Sequence, residues 1–155
     1  MSSARTMRLG SAVVASIAMT SIVPTGAGAT GHLTPTAAVA GHCAAWNTTN
    51  RVKRDVLLRR VFARDGVYND PTPAYVTGRA ALSDEIARVQ RKYPGARFHC
   101  SPPQVHHSAM RVSWVFSRPD GTVVEHGMDF YQLARDGRIS RVTGFFGPPP
   151  TVDTH

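Results

Sequence analysis

Between Leu82 and Tyr93 the apolar residues fall at a helical interval. Leu82, Ile86, Val89 and Tyr93 stand at i, i+4, i+7 and i+11, one apolar stripe on an otherwise polar segment. Gly78 opens this segment and Pro94-Gly95 closes it. Asp84 and Glu85 near its start and Arg91 and Lys92 near its end suit the helix dipole. Upstream, residues 43–64 also read as helix, in two pieces. Thr48-Thr49-Asn50 interrupts them and offers N-cap side chains for the second piece. That piece aligns Leu57 with Val61 and Leu58 with Phe62. Asp65-Gly66 ends it, Val67-Tyr68 follows as a short extended segment, and Pro71 holds Asp70 away from helical geometry.

From Ala96 onward the period changes to that of strands. Residues 96–101, 105–117, 122–134 and 138–146 are rich in Val, aromatic and β-branched residues. Pro119-Asp120-Gly121 and Asp136-Gly137 are turn signals between them. Alternation puts Val123, Glu125, Gly127, Asp129, Tyr131 and Leu133 on one face, and His126, Met128 and Phe130 on the other. On the 105–117 strand His106 and His107 point to opposite faces, and either face could be the inward one. Pro148-Pro149-Pro150 stops the sheet and leaves residues 148–155 as a disordered tail. Helices followed by an antiparallel meander predict the α+β class.

The N-terminus does not belong to this pattern. Arg5 and Arg8 precede an apolar run from residue 9 to 23, and Ala27-Gly28-Ala29 offers a small-x-small cleavage site. These features predict a secretory signal over residues 1–29 and a secreted or extracytoplasmic protein. Ala38-Val39-Ala40 is a second candidate site. The run is short and polar for a membrane span, and an uncleaved anchor is the alternative reading. Residues 30–41, rich in Ala, Thr, Pro and Gly, read as a mobile leader, which puts the domain at residues 42–147.

The chain carries 18 Lys+Arg against 10 Asp+Glu, and loss of Arg5 and Arg8 lowers the net charge from +8 to +6. The basic residues cluster within residues 51–64 and 88–97 and read as solvated helix faces. No nucleic-acid module signature accompanies them, so no nucleic-acid partner is expected. Cys43 and Cys100 form a disulfide in an oxidising compartment if their separation permits it; otherwise they are two buried thiols. Seven histidines without HxH or HExxH spacing predict no metal site. No phosphate loop or GxSxG elbow is present, and no cofactor is expected. Asn47-Thr48-Thr49 matches a glycosylation sequon.

Three ordered segments carry a resemblance. They are residues 61–71 (VFARDGVYNDP) with the helix opening Gly78-Arg79-Ala80-Ala81-Leu82, then Gly127-Met128-Asp129-Phe130, then Asp136-Gly137-Arg138-Ile139 with Gly144-Phe145-Phe146-Gly147. In this order they resemble the SnoaL-like branch of the nuclear transport factor 2-like superfamily over residues 43–147. The resemblance implies a cone: a curved antiparallel sheet wrapped around N-terminal helices, with an internal pocket. Its members include ketosteroid isomerases, polyketide cyclases and dehydratases, so fold alone does not assign a reaction.

The resemblance also implies roles for two carboxyls. Asp70, in the Asp-Pro step, corresponds to a proton-shuttling base, and Asp129 to a carboxyl that stays protonated and donates to a substrate oxyanion. The ketosteroid isomerase that sets this pattern is a worked case of pKa tuning. Structural roles are the alternatives: an Asx turn for Asp70, and for Asp129 a carboxylate held by Arg111, His107 or a backbone donor. Where that enzyme has a tyrosine donor, this chain has Trp46, a donor without a phenolic proton. Tyr68, two residues before Asp70, is the replacement candidate, and His107 a candidate partner of Asp129. Trp46, Tyr131, Val142, Gly144 and Phe146 are expected to line the pocket, with Gly144 leaving room for a ligand. The expected ligand is a small apolar molecule. Trp114, Phe116, Met128 and Phe130 could form an outer face for a homodimer.

Overall fold

The structure, a computed structural model, describes residues 32–153. The expected secretory signal lies outside the described residues. The first helix, α1 (Pro35–Trp46), starts earlier than the sequence pattern suggested. Thr34 caps it, accepting a hydrogen bond from the Ala37 N–H, and Pro35 sits where a missing N–H costs nothing. Most of the expected mobile leader is therefore helix. The stretch looks linker-like because alanines supply its buried face, and Ala38, Val39, His42, Ala45 and Trp46 are all buried.

Helix α2 (Arg51–Val61) is capped by Asn50, whose side chain accepts from the Lys53 N–H. It ends sooner than expected, and strand β1 (Phe62–Asn69) begins at once. Gly66 allows this, because a Cβ there would strike the Phe62 ring. Arg54 is a further correction to the solvated basic face: it is 1 % exposed. Its guanidinium donates to Ser83 Oγ at 2.9 Å and to the carbonyls of Thr48 and Thr49, joining α2 to the next helix. A short strand, β2 (Tyr75–Thr77), returns along β1, and helix α3 (Arg79–Lys92) follows. Leu82 and Ile86 are fully buried, each contributing roughly 1.5–3 kcal/mol. Val89 is partly buried against the same core.

The remaining strands are β3 (Arg97–Cys100), β4 (Gln104–His106), β5 (Ala109–Ser117), β6 (Val123–Leu133) and β7 (Ile139–Phe146). They complete a seven-stranded sheet in the order β2-β1-β7-β6-β5-β3, with β4 on β5. The sheet is mixed, not wholly antiparallel, because β1 runs parallel to β7. It is curved and unclosed, and the core lies between it and the helices. The expected long strand at 105–117 is a tight hairpin instead. His107 takes a left-handed conformation, φ 51°, at its turn and sends β4 back along β5. The inward face of β5 is Met110, Val112, Trp114 and Phe116.

A disulfide, Cys43–Cys100, ties α1 to β3, with Cα atoms 6.4 Å apart. Asn47 supports the same junction. Its amide donates to the Phe98 carbonyl and accepts from the Phe98 N–H, both at 2.8 Å. The sequon asparagine thus belongs to the packing of α1 on β3.

Candidate functional site

Strand register builds the floor of a cavity of about 670 Å³, within the usual range for small-molecule sites. Asn69 pairs with Thr143, and Asp129 pairs with Gly144. Asp70 and Asp129 are thereby brought to either side of Gly144. A Cβ on Gly144 would lie 3.0 Å from Asp129 Oδ1 and 3.3 Å from Asp70 Cβ. Any side chain at this position would press on both carboxyls, which glycine leaves unobstructed. The walls are aromatic. Phe98 stacks on Phe116 with centroids 4.3 Å apart, and Trp46 packs at 5.3 Å from Tyr68 and 5.1 Å from Phe98.

The two carboxyls sit differently. Asp129 is buried, and both oxygens are occupied: Trp114 Nε1 donates to Oδ1 at 2.8 Å, and Tyr131 Oη lies 3.1 Å from Oδ2. Gly127 makes the indole contact feasible, since a Cβ there would fall 2.6 Å from Trp114 Cζ2. Burial raises the Asp129 pKa to about 6. The hydrogen bonds from Trp114 and Tyr131 pull it down, and the charge of Asp70 adds to the rise. Asp70 is half-buried at the end of β1. Its Oδ1 accepts from Thr72 N at 2.8 Å and Thr72 Oγ1 at 2.5 Å, and its Oδ2 accepts from Tyr68 Oη at 2.9 Å. Burial, then the charges of Asp129 and Asp70, push the Tyr68 phenol well above its ordinary pKa.

A residue absent from the sequence-based candidates completes the floor. His42, 2 % exposed, stacks on Phe62. Its Nδ1 lies 3.3 Å from Tyr131 Oη, and its Nε2 accepts from Trp46 Nε1 at 3.3 Å. Burial lowers its pKa to about 4. The i, i+4 spacing of His42 and Trp46 was a readable signal, obscured by the assignment of the preceding residues to a leader.

Most of the expected pocket residues line the cavity: Trp46, Tyr68, Asp70, Asp129, Tyr131 and Phe146. Val142 is fully buried in the core instead, and Gly144 acts by leaving space. The Trp46 N–H points to His42, so it is engaged within the protein. His107 does not reach the site. It is exposed at the β4–β5 turn and makes a ring contact with His106, because the hairpin bends the chain before it reaches the level of Asp129. Cys43 and Cys100 line the cavity as well as bridging it. At the mouth Arg88 pairs with Glu85 through two hydrogen bonds, and Lys92 lies 5.2 Å from the Tyr93 ring centroid.

The SnoaL-like domain family matches residues 39–142, most of the described fold. This chain belongs to that family. A candidate isomerase of the SnoaL-like family from Agrobacterium tumefaciens is 32 % identical, with a TM-score of 0.68 over 77 % of this chain and 99 % of that one. A candidate ketosteroid isomerase from Kribbella flavida is 24 % identical, with a TM-score of 0.52 over 76 % and 83 %. A candidate SnoaL-like polyketide cyclase from Jannaschia is 13 % identical, with a TM-score of 0.55 over 72 % and 85 %. The last two show the shared fold alone. No curated protein matches the chain.

Proposed function

We propose that this protein performs acid–base chemistry on a small cyclic or polyketide-like molecule: isomerisation, cyclisation or dehydration. The observation that carries this reading is the pair of carboxyls, Asp70 and Asp129, flanking Gly144 at the floor of an aromatic cavity. A buried carboxyl with a pKa near 6 exchanges protons readily at neutral pH. Tyr68, beside Asp70, assists at the same floor. The 32 % identity to a candidate isomerase supports the same reaction class. The disulfide supports an extracytoplasmic location, where such bonds persist.

The test is a panel of enolisable cyclic ketones, followed by absorbance and by calorimetric affinity. Turnover by the wild type, lost in an Asp70→Asn/Asp129→Asn double variant that still binds, supports the reading. Binding without turnover in every form replaces it with a non-catalytic role, holding an apolar ligand outside the cytoplasm. Neither binding nor turnover sinks both.

A homodimer through the outer sheet is a second proposal, on a revised face. Trp114 and Phe116 turn inward, leaving Phe130 and Phe145 exposed in edge-to-face contact, 5.8 Å between centroids, near half-buried Met128. Sedimentation at two concentrations decides it, since a monomer at both removes the proposal.

A further inference from the structure

Indole nitrogens donate and never accept, so Trp46 and Trp114 fix the direction of their own hydrogen bonds, and Trp46 through His42 that of the next one as well. Trp46 Nε1 donates to His42 Nε2, which must therefore carry a lone pair. A neutral imidazole then holds its proton on Nδ1 and directs it at Tyr131 Oη. With that lone pair used, the Tyr131 hydroxyl is free to give its own proton to Asp129 Oδ2. Trp114 donates to Oδ1 from the opposite side. Two of these four protons reach Asp129, and the other two stand in line behind Tyr131. We propose that His42 is a positioning residue that orients the Tyr131 hydroxyl toward Asp129, and that this donor chain holds Asp129 as an ionised carboxylate, the proton-accepting group of the pocket. This reverses the roles implied by the family resemblance, in which Asp129 is a neutral donor and Asp70 the base.

The surroundings agree with this assignment. The ionisable groups around Asp129 are Tyr131 on β6, His42 on α1, Tyr68 on β1 and Asp70 just beyond it, with Glu125 also lining the cavity. Arg88 and Lys92 line the cavity too, but Arg88 is paired with Glu85, and the bonds to Asp129 come from Trp114 and Tyr131, so hydrogen bonds supply what stabilises the carboxylate. A carboxylate oxygen has lone pairs to spare after accepting one bond, so Asp129 can still receive a proton. Asp70 is half-buried at the end of β1 and carries three local donors, two from Thr72 on Oδ1 and one from Tyr68 on Oδ2. It shapes the rim and orients Tyr68. In the step itself, a ligand C–H beside a carbonyl gives its proton to Asp129, and the bonding electron pair enters the enolate. The same proton then returns at another carbon, and nothing else is consumed.

The role of Asp129 rests on the acid–base reading, but the decisive measurements need no substrate. Long-range proton–nitrogen NMR on histidine-labelled wild type should show His42 as the neutral Nδ1–H tautomer at pH 7. An Nε2–H tautomer or a doubly protonated ring overturns the proposal. Asp129, titrated by carbon NMR, should be ionised at pH 7.5, and a neutral Asp129 there also overturns it. His42→Leu should raise the Asp129 pKa by roughly half to one unit, and His42→Asn, which keeps an N–H aimed at Tyr131, should restore it. An unchanged Asp129 in folded His42→Leu refutes the positioning role. If that variant does not fold, Trp46→Phe removes only the indole donor and should release the tautomer to a mixture; a retained Nδ1–H form counts against the chain. Where turnover is found, Asp129→Asn should lose roughly 100-fold or more, and Asp70→Asn under roughly tenfold. The opposite ranking refutes the proton-acceptor assignment. Absence of any turnover removes the acid–base reading, while the tautomer and titration results still decide the donor chain.

Discussion

Asp70 and Asp129 share one cavity and one glycine between them, yet they belong to different physical regimes. Asp129 stands in the middle of β6, flanked by β5 and β7, and its partners Trp114 and Tyr131 are held by the sheet. Its environment is set by residues distant in sequence, His42 among them. Asp70 stands where β1 gives way to a loop, and its partners Thr72 and Tyr68 are two residues away on either side. Its geometry is a local Asx turn that the Asp-Pro-Thr sequence can form with little tertiary help. Of the two carboxyls, Asp129 alone is buried, where each hydrogen bond is electrostatically stronger than in water.

The comparison can be broken most forcefully at the disulfide. Cys43 follows His42, and the Cys43–Cys100 bond spans 57 residues. A Cys43→Ser/Cys100→Ser variant should lose about 4 kcal/mol of stability by urea unfolding on the chain-entropy model. Its spectral changes should centre on His42 and Asp129 and spare the turn at Asp70. Equal disturbance at both carboxyls would erase the distinction between them.

Stability against pH sharpens it next. Asp129, raised from 3.8 to about 6, stabilises the fold below its unfolded pKa and loses that contribution as pH rises through 6. His42, lowered from 6.5 to about 4, stabilises the fold above 6.5 and loses that contribution as pH falls through 4. Each is worth about 3 kcal/mol and they oppose each other over one window, so the wild type should be nearly flat between pH 4 and 6.5. Asp129→Asn should uncover the His42 slope, with stability falling by about 3 kcal/mol on acidification across that range. A wild type with the same slope as the variant would show that Asp129 is not perturbed.

The smallest effect belongs to the other carboxyl. Thr72→Val removes the hydroxyl that donates to Asp70 Oδ1 and leaves the Thr72 N–H bond in place. It should cost less than about 1 kcal/mol in thermal unfolding and leave the Asp129 titration where it was. A shift at Asp129 from this change would mean that the two carboxyls act as one unit.

Local signals were enough for the elements and for some of the site. The Leu82–Ile86 stripe, the alternation that turns Asp129 and Tyr131 inward, and the turn glycines are short-range patterns, and the fold keeps each of them. The ordered segments around Asp70, Asp129 and Gly144 carried the family resemblance. Misread positions have a common physical origin. The first turns of α1 were hidden because their buried face is mostly alanine, whose apolar signal is weak. Arg54 was read as solvent-facing because nothing local announces the Ser83 hydroxyl and the two carbonyls that satisfy it. His107 was aligned with Asp129 on the assumption of a straight strand, and one residue at φ 51° removed it.

By itself, the sequence determined which residues alternate, where chains turn, and that two carboxyls and a glycine recur in a family order. Tertiary structure decided what those carboxyls are. Register set Asp70 and Asp129 on either side of Gly144, and the disulfide and the helix cap brought α1 into the core. That placement puts Trp114 and Tyr131 against the two oxygens of one carboxyl, with His42 and Trp46 lined up behind Tyr131. Pattern along a chain encodes which face is apolar. The basicity of an acid depends on desolvation and on donors within about 3 Å, and folding gathers those from across the sequence.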